Sequence, residues 1–352
     1  MTLETTSGPV ILQRNFADSV TRLITGSATA EDHTRINFIE KQYPQLQGLA
    51  KFQTSASLPV LLKGDGLNML FVELTSQCNE RCIHCYAESS PERNETLSFA
   101  DIRSGLMQAR ELGRAFVQLT GGDPLIHPHL VDTVALAHSL DFAGVEIYTN
   151  GLLLSDKLIK KLKPFSPRIA FSLYSHDATT HDAITAVYGS FQRTTEAIRR
   201  AQKANFDVRI GVVLMQNNAD QITAIRDYIV NRLGIDEGNI RFDPIKKTGR
   251  GAEVEGSEEI IFSVAHLPDR DQAVKRNGKL CIAYDGNIYP CIFSRQNSLG
   301  NIRNNSLREM LERLSLRSLA SPSASRWKSC QERLSCVDCQ MIAYALGEEH
   351  RG

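Results

Sequence analysis

The sequence predicts an α/β fold built on a parallel sheet, and three observations carry that prediction. Six short apolar, β-rich runs recur between about residues 69 and 245. Segments with helical spacing of apolar residues separate them. Alternation of this kind means parallel strands joined by right-handed crossovers. Six strands are too few to close an eight-stranded barrel, so an open, partial (β/α)6 barrel and a doubly wound sheet both fit.

The predicted strands are MLFVEL (69–74), AFVQLT (115–120), GVEIYT (144–149), RIAFSLY (168–174), FDVRIGVVLM (206–215) and NIRFDPI (239–245). Helices are predicted over 98–112, 128–140, 155–163, 190–204 and 219–233. The first shows its cause. Ser98 is a good N-cap, with Asp101 three positions on. Ile102, Leu106, Ala109 and Leu112 then form one apolar stripe, and Gly113 ends the helix. Residues 1–66 stand outside the rhythm and predict a short helical extension, with helices near 15–25 and 30–50 and a linker TSASLP. After about residue 250 the rhythm stops again. CIAYDGNIYPC (281–291) predicts a hairpin turning at Asp285-Gly286. A helix near 306–316 and a loop, SLRSLASPSAS (315–325), follow.

Composition narrows the function. The chain has 352 residues, and forty Lys+Arg balance forty Asp+Glu. A net charge of zero argues against a phosphate-binding nucleic-acid protein. Hydrophobic content of 42% and charged content of 23% are globular values, which excludes disordered and fibrous classes. No apolar run approaches the roughly 20 residues that cross a bilayer, and the N-terminus lacks a basic region followed by an apolar one. The expectation is a cytoplasmic protein with no membrane and no nucleic-acid partner.

Eight cysteines are many for a reducing compartment, where structural disulfides are rare. They form two groups, Cys78, Cys82 and Cys85, then Cys281, Cys291, Cys330, Cys336 and Cys339, with nearly two hundred Cys-free residues between. Metal binding sorts cysteines this way; core packing does not. The first group has the spacing CxxxCxxC on a loop leaving the first strand. Three thiolates leave a tetrahedral or cubane site one ligand short. A structural zinc site uses four ligands, whereas a [4Fe–4S] cluster held by three cysteines keeps one iron free. A zinc knuckle borrowing a distant ligand and three unrelated thiols are the alternatives. For the second group the alternative is a zinc ribbon from Cys281, Cys291, Cys336 and Cys339.

CNERCIHCY after the first strand of a βα series resembles the radical S-adenosylmethionine (SAM) superfamily, in the form common in its SPASM/twitch branch. The resemblance continues downstream. LTGGDPL follows the second strand, and Gly121, Gly122, Asp123 and Pro124 match the family's GGE-P element, which holds the amino group of SAM. Asp stands here for the usual Glu, one methylene shorter. YTNG (148–151), with Thr149 and Asn150, matches a second family turn, and Ser172 falls where a Ser contacts SAM. HDAITAVYGSF (181–191) resembles the HD…R…GSF stretch, with Thr185 where relatives often carry an Arg for the SAM carboxylate. PIKKTGRG (244–251) resembles the polar loop after the sixth strand. Each element follows a predicted strand's C-terminal end, where barrel-like α/β folds carry their sites. His84, between two ligands, is expected to shield rather than bind; His127 and His129, flanking Pro128, are expected at the surface.

The second group resembles the SPASM/twitch extension in order: a Cys, a DG hairpin ending in YPC, LGNI (299–302) and a closing Cys cluster. A full SPASM has seven cysteines; this chain has five, with Trp327 in place of one. The resemblance therefore implies a partial (β/α)6 barrel over 67–250, a small Cys-rich auxiliary domain over 251–352, and an N-terminal extension (1–66) that binds a leader peptide or caps the barrel. It implies a SAM-binding [4Fe–4S] cluster, SAM itself, and one auxiliary [4Fe–4S] cluster on Cys281, Cys291 and two or more of Cys330, Cys336 and Cys339. A second auxiliary cluster, with Asp338 or His350 contributing, stays open. The implied activity is radical modification of a ribosomally made precursor peptide, with a flavodoxin or ferredoxin as electron donor. A radical SAM dehydrogenase or epimerase of a sugar or alcohol, and a non-enzymatic zinc scaffold, are the competing readings.

Overall fold

The computed structural model of the chain describes residues 2–5, 8–11, 29–42, 67–113, 115–254, 279–296 and 298–311. Two units result, Met1–Gly66 with Asp269–Asn277, and Leu67–Pro268 with Gly278–Gly352. In the first, strands β1 (Thr2–Thr5) and β2 (Gly8–Ile11) pair antiparallel, Thr2 opposite Ile11. This hairpin corrects the purely helical expectation for the extension. Helix α1 (Ala30–Gln42) is the second helix read there. A reciprocal cap starts it: Thr29 N–H donates to the Asp32 carboxylate at 2.9 Å, and Asp32 N–H donates to the Thr29 hydroxyl at 3.3 Å. The helix read at 15–25 and the TSASLP linker lie outside the described residues.

In the second unit all six predicted strands form: β3 (Met69–Glu73), β4 (Phe116–Thr120), β5 (Gly144–Thr149), β6 (Arg168–Ser172), β7 (Val208–Leu214) and β8 (Ile240–Pro244). They pair parallel in chain order. Helices α2 (Phe99–Leu112), α3 (Leu130–Ser139), α4 (Asp156–Leu162), α6 (Ser190–Lys203) and α7 (Ile222–Asp227) connect them, with a further helix, α5 (Ala178–Thr185), before α6. Ser98 caps α2 by accepting from Asp101 N–H at 3.1 Å. The sheet does not close: β3 pairs not with β8 but with β9 (Lys279–Ile282), again parallel, which carries β10 (Asn287–Tyr289) and β11 (Gly300–Asn301) to the far edge. The hairpin read around Asp285-Gly286 is thus β9–β10, and it extends the main sheet. Residues 307–311 are helical; the rest of the helix read over 306–316 lies outside the described residues.

Alternation along the strands sorts the two faces. Leu70, Val72, Val117, Leu119, Ile147, Ile169, Phe171, Ile210 and Val212 pack into the main apolar core. Their neighbours on the other face include Glu73, Gln118, Glu146, Tyr148, Ser172 and Arg209. Arg209 grips Glu146 with two hydrogen bonds, 3.0 and 2.7 Å, while Gln118 donates to the same carboxylate at 2.6 Å. The guanidinium lies 5.4 Å from the Tyr148 ring centroid. The Glu146 side chain is 3% exposed and Arg209 17%, so the pair is stable only while both partners are present.

Arg209→Met is expected to lower the stability of the cofactor-free chain by about 3–5 kcal/mol, because it strands a buried carboxylate. Met at both 146 and 209 is expected to recover most of that loss. Urea denaturation followed by circular dichroism measures both; a loss under about 1 kcal/mol for the single variant contradicts the assignment.

Candidate functional site

The site assembles where the strands end. After β3 the chain runs through Thr75–Gln77 into the cysteine loop, held by Leu74 N–H to Thr120 O (2.9 Å) and Cys78 N–H to Ser90 O (3.1 Å). The turn after β4 lies against this stretch. Gly122 N–H donates to Thr75 O at 2.6 Å and Asp123 N–H to Gln77 O at 2.9 Å. Gly121 has φ +126°, and a Cβ there would meet Thr75 O at 2.5 Å; one on Gly122 would meet Gln77 O at 1.9 Å. Both glycines are therefore required by backbone-on-backbone approach.

Asp123 is fully buried. One carboxylate oxygen accepts Leu125 N–H at 2.8 Å, capping the short turn that begins at Pro124. The other accepts the Thr149 hydroxyl at 2.6 Å and Asn150 N–H at 3.1 Å. The carboxylate thus faces the turn after β5. Burial raises its pKa, and these hydrogen bonds oppose the shift. Asn150 in turn donates to Asn79 Oδ1 at 2.6 Å and reaches Cys78 Sγ at 3.8 Å. Its carbonyl accepts the Thr194 hydroxyl of α6 at 2.8 Å. Ser172, nearly buried, faces the phenols of Tyr148 and Tyr174.

Cys78 is buried and Cys82 and Cys85 are half-buried; none is in a disulfide. Burial raises the Cys78 and Cys82 thiols. Nearby carboxyl groups and the other cysteines of the loop raise them further, so these thiols share one small region. A bound cationic core reverses this preference and takes the thiolate. Among the described residues no three Cys, His, Asp or Glu side chains close on one point as they would around a single ion. A cubane takes one thiolate at each of its outer corners, and one buried and two half-buried free thiols on one loop are a donor set that fits it.

Helix α5, which the sequence reading passed over, forms the loop's far wall. Arg81 N–H donates to Thr185 O at 3.1 Å and Ile83 N–H to Ile184 O at 3.0 Å. Thr185 thereby meets the loop through its backbone, while its hydroxyl turns to Asp182 O at 3.3 Å. The HD…GSF stretch has a structural logic. Asp182 caps α6, accepting from Gly189 N–H (2.6 Å) and Phe191 N–H (2.8 Å). His181 accepts Tyr174 N–H at 3.1 Å and faces the Ser190 hydroxyl at 3.3 Å. Ser190 donates to Glu80, a buried carboxyl between Cys78 and Cys82 whose other oxygen accepts the Cys82 thiol at 3.4 Å. Glu80 was legible only as a charged residue inside the motif. His84 packs edge-on against Tyr174 at 4.6 Å, and burial holds its pKa down to about 3, so it is neutral. His127 corrects the surface expectation. It is buried, with Nε2 3.0 Å from Leu97 O and Nδ1 accepting His129 N–H, because the chain turns inward after Pro124; His129 stays exposed.

Cys281 and Cys291 lie on the added strand and just past its partner; both are buried, and Cys281 packs with Phe71, Ala283 and Tyr289. Register places Cys281 opposite Phe71 of β3. Glu73, at the end of β3, forms a buried ion pair with Arg295, whose guanidinium lies 5.3, 5.4 and 5.8 Å from the ring centroids of Tyr86, Tyr289 and Tyr284. Neither Glu73 nor Arg295 was singled out by sequence, since nothing local marks a charge as buried. Cys330, Cys336, Cys339, Asp338, Trp327 and His350 lie outside the described residues.

Comparisons with known proteins agree with this geometry. Residues 72–229 match the radical SAM superfamily, and residues 275–340 match SPASM, an iron–sulfur cluster-binding domain. The AdoMet-dependent heme synthase of Methanosarcina barkeri is 25% identical, over 78% of this chain and 91% of its own length. The antilisterial bacteriocin subtilosin biosynthesis protein AlbA of Bacillus subtilis is also 25% identical, over 79% of this chain and 68% of its own. SuiB of Streptococcus suis shares the fold. Its structure bound to S-adenosylmethionine has a TM-score of 0.58 at 14% identity, covering 86% of this chain and 81% of SuiB, and it has also been solved bound to the precursor peptide SuiA (TM-score 0.55, 15% identity, 86% and 82%). Among the described residues no helix is long and apolar enough to cross a membrane. A radical SAM domain followed by a SPASM domain, on an open parallel sheet with CxxxCxxC at its first strand end, places the chain in the SPASM branch of the radical SAM superfamily.

Proposed function

We propose that this radical SAM enzyme modifies a residue of a ribosomally made precursor peptide. The observation that carries the reading is convergence. The cysteine loop, the GGDP turn and the TNG turn share one network of hydrogen bonds, and Cys281 lies on the neighbouring strand of the same sheet, with Cys291 just past the strand after it. Two relatives support the choice of substrate class: AlbA is named for bacteriocin biosynthesis, and SuiB has been solved with a precursor peptide.

Cys78, Cys82 and Cys85 would hold the cluster that binds SAM, and Cys281 and Cys291, with cysteines from 330, 336 and 339, an auxiliary one. Bound together and reduced, cluster and SAM supply a 5′-deoxyadenosyl radical able to take hydrogen from an unactivated carbon. The chain's own contribution is position and dryness. Gly121, Gly122 and Pro124 shape the turn against the cysteine loop. Asp123 acts by fixing Thr149 and Asn150 through one oxygen, the other being engaged by Leu125 N–H. Tyr148, Tyr174 and Ser172 line the strand ends, and burial keeps both phenols protonated. Electrons would come from a flavodoxin or ferredoxin. One observation favours a second reading, a small-molecule substrate: the match covers 91% of the heme synthase but 68% of AlbA. Mass spectrometry after anaerobic incubation with a short peptide encoded beside the gene separates the two.

Anaerobically reconstituted protein is expected to carry about eight irons, two cubanes of four. Cys82→Ala is expected to abolish reductive SAM cleavage; if it still yields 5′-deoxyadenosine, the ligand assignment fails. Cys291→Ala is expected to retain part of the SAM cleavage while product formation stops, and equal loss of both would make the second site purely structural. Asp123→Asn removes the charge that the Thr149 and Asn150 donors share. It is expected to weaken SAM binding about tenfold in calorimetric titration, and to lower the thermal midpoint as well, because an amide cannot accept on both sides.

A further inference from the structure

We propose that Arg250, in the loop after β8, is a positioning residue that clamps the cysteine loop by its backbone carbonyls. Three hydrogen bonds make the clamp. The Arg250 side chain donates from Nε to Cys82 O at 2.9 Å and from its terminal nitrogen to Ser89 O at 2.9 Å, and the Arg250 backbone N–H donates to Cys85 O at 3.1 Å. Two of the three acceptors belong to cysteines of the CxxxCxxC motif, and the third lies four residues past it.

The flanking sequence, TGRG, is built for this approach. Gly249 has φ +57°, and a Cβ there would meet Tyr86 O at 2.5 Å and Cys85 O at 2.6 Å. A Cβ on Gly251 would meet Lys246 O at 2.4 Å and His84 O at 3.2 Å. Both glycines let this loop lie directly on residues 84–86. Arg suits the task because its planar fork presents donors in fixed directions, so one side chain spans two carbonyls seven residues apart; a Lys ammonium is a single point on a flexible stem. The same loop reaches the second cysteine group. Thr248 donates to Phe293 O at 3.3 Å, two residues past Cys291, and the Phe293 ring meets Tyr86 edge-on at 5.3 Å. The clamp thus fixes Cys82 and Cys85 on their outer side, as α5 fixes Arg81 and Ile83 on the other.

The inference rests on the proposed function only where it treats Cys82 and Cys85 as ligands, and its test avoids that dependence. Full-length, cofactor-free, reduced protein is alkylated with isotope-coded iodoacetamide, and each cysteine is read by peptide mass spectrometry. Arg250→Gln and Arg250→Lys are both expected to speed alkylation of Cys82 and Cys85 about tenfold, the effect of losing one charge-assisted hydrogen bond. Cys281, buried on β9 and untouched by the clamp, is expected to keep its wild-type rate. Unchanged rates at Cys82 and Cys85 overturn the proposal. So does a parallel rise at Cys281, which means general loosening, and so does full protection in Arg250→Lys, which means that charge alone suffices. If the variants do not fold, hydrogen exchange of the wild-type chain decides: the Arg250 amide is expected to exchange as slowly as those of Arg81 and Ile83, and faster exchange counts against the clamp. Because no cofactor enters the assay, 5′-deoxyadenosine formation by Cys82→Ala would sink the functional reading and leave the clamp standing.

Discussion

The carbonyl oxygen of Gln77 stands 1.9 Å from where a Cβ on Gly122 would be. That approach, two backbones in contact with no side chain between them, is the constraint on which the site depends. It brings the end of β4 onto the stretch entering Cys78, and Gly122 and Asp123 convert the contact into two hydrogen bonds. Asp123, pinned by its own amide, then presents its carboxylate to the turn after β5, and Asn150 of that turn returns to Asn79 beside Cys78. Three strand ends and the cysteine loop are thereby tied into one ring. No member of the ring is flexible: glycines, backbone amides and short side chains leave few rotamers to lose, so the ordering entropy is small.

The same principle explains how one loop with little secondary structure can carry three thiols in fixed positions. A loop of this kind has carbonyls and amides that its own turns cannot all satisfy, and buried ones left alone are costly. Here they are met from three directions: the segment 75–96 on one side, the end of α5 on another, and the TGRG loop on the third. Glu80 adds a side-chain link through Ser190 to α6. The thiols are therefore placed by the frame around them.

The strands were legible because a parallel sheet covered by helices leaves an apolar alternation in each run, and all six runs carry it. The glycine turns were legible because each follows a strand end. What the sequence could not show was direction. Period-2 alternation places Glu146, Arg209 and Glu73 on the face opposite the core, but solvent and barrel interior look alike in a sequence, so buried charges read as surface ones. The parallel pairing of β9 with β3 joins residues more than two hundred positions apart, and no local pattern announces such a partner. α5 is short and begins at an Asp cap in a stretch that reads as a motif before it reads as a helix. His127 follows a proline turn, which suggests surface, yet its ring is drawn in by Leu97 O.

That unannounced pairing has a consequence for the two cysteine groups. Were the C-terminal extension a separate domain on a linker, the spacing between Cys85 and Cys281 would vary with every domain motion. Instead Cys281 is set in ladder register opposite Phe71, two residues from the end of the strand that launches the cysteine loop. Glu73 and Arg295 fasten the same junction a second time, and the Tyr86 ring, one residue past Cys85, packs against that guanidinium. Sheet hydrogen bonds resist shear far better than a flexible tether does, so the separation between the two sites is a property of the fold. Cys281 and the cysteine loop are therefore held at a separation that the sheet itself sets.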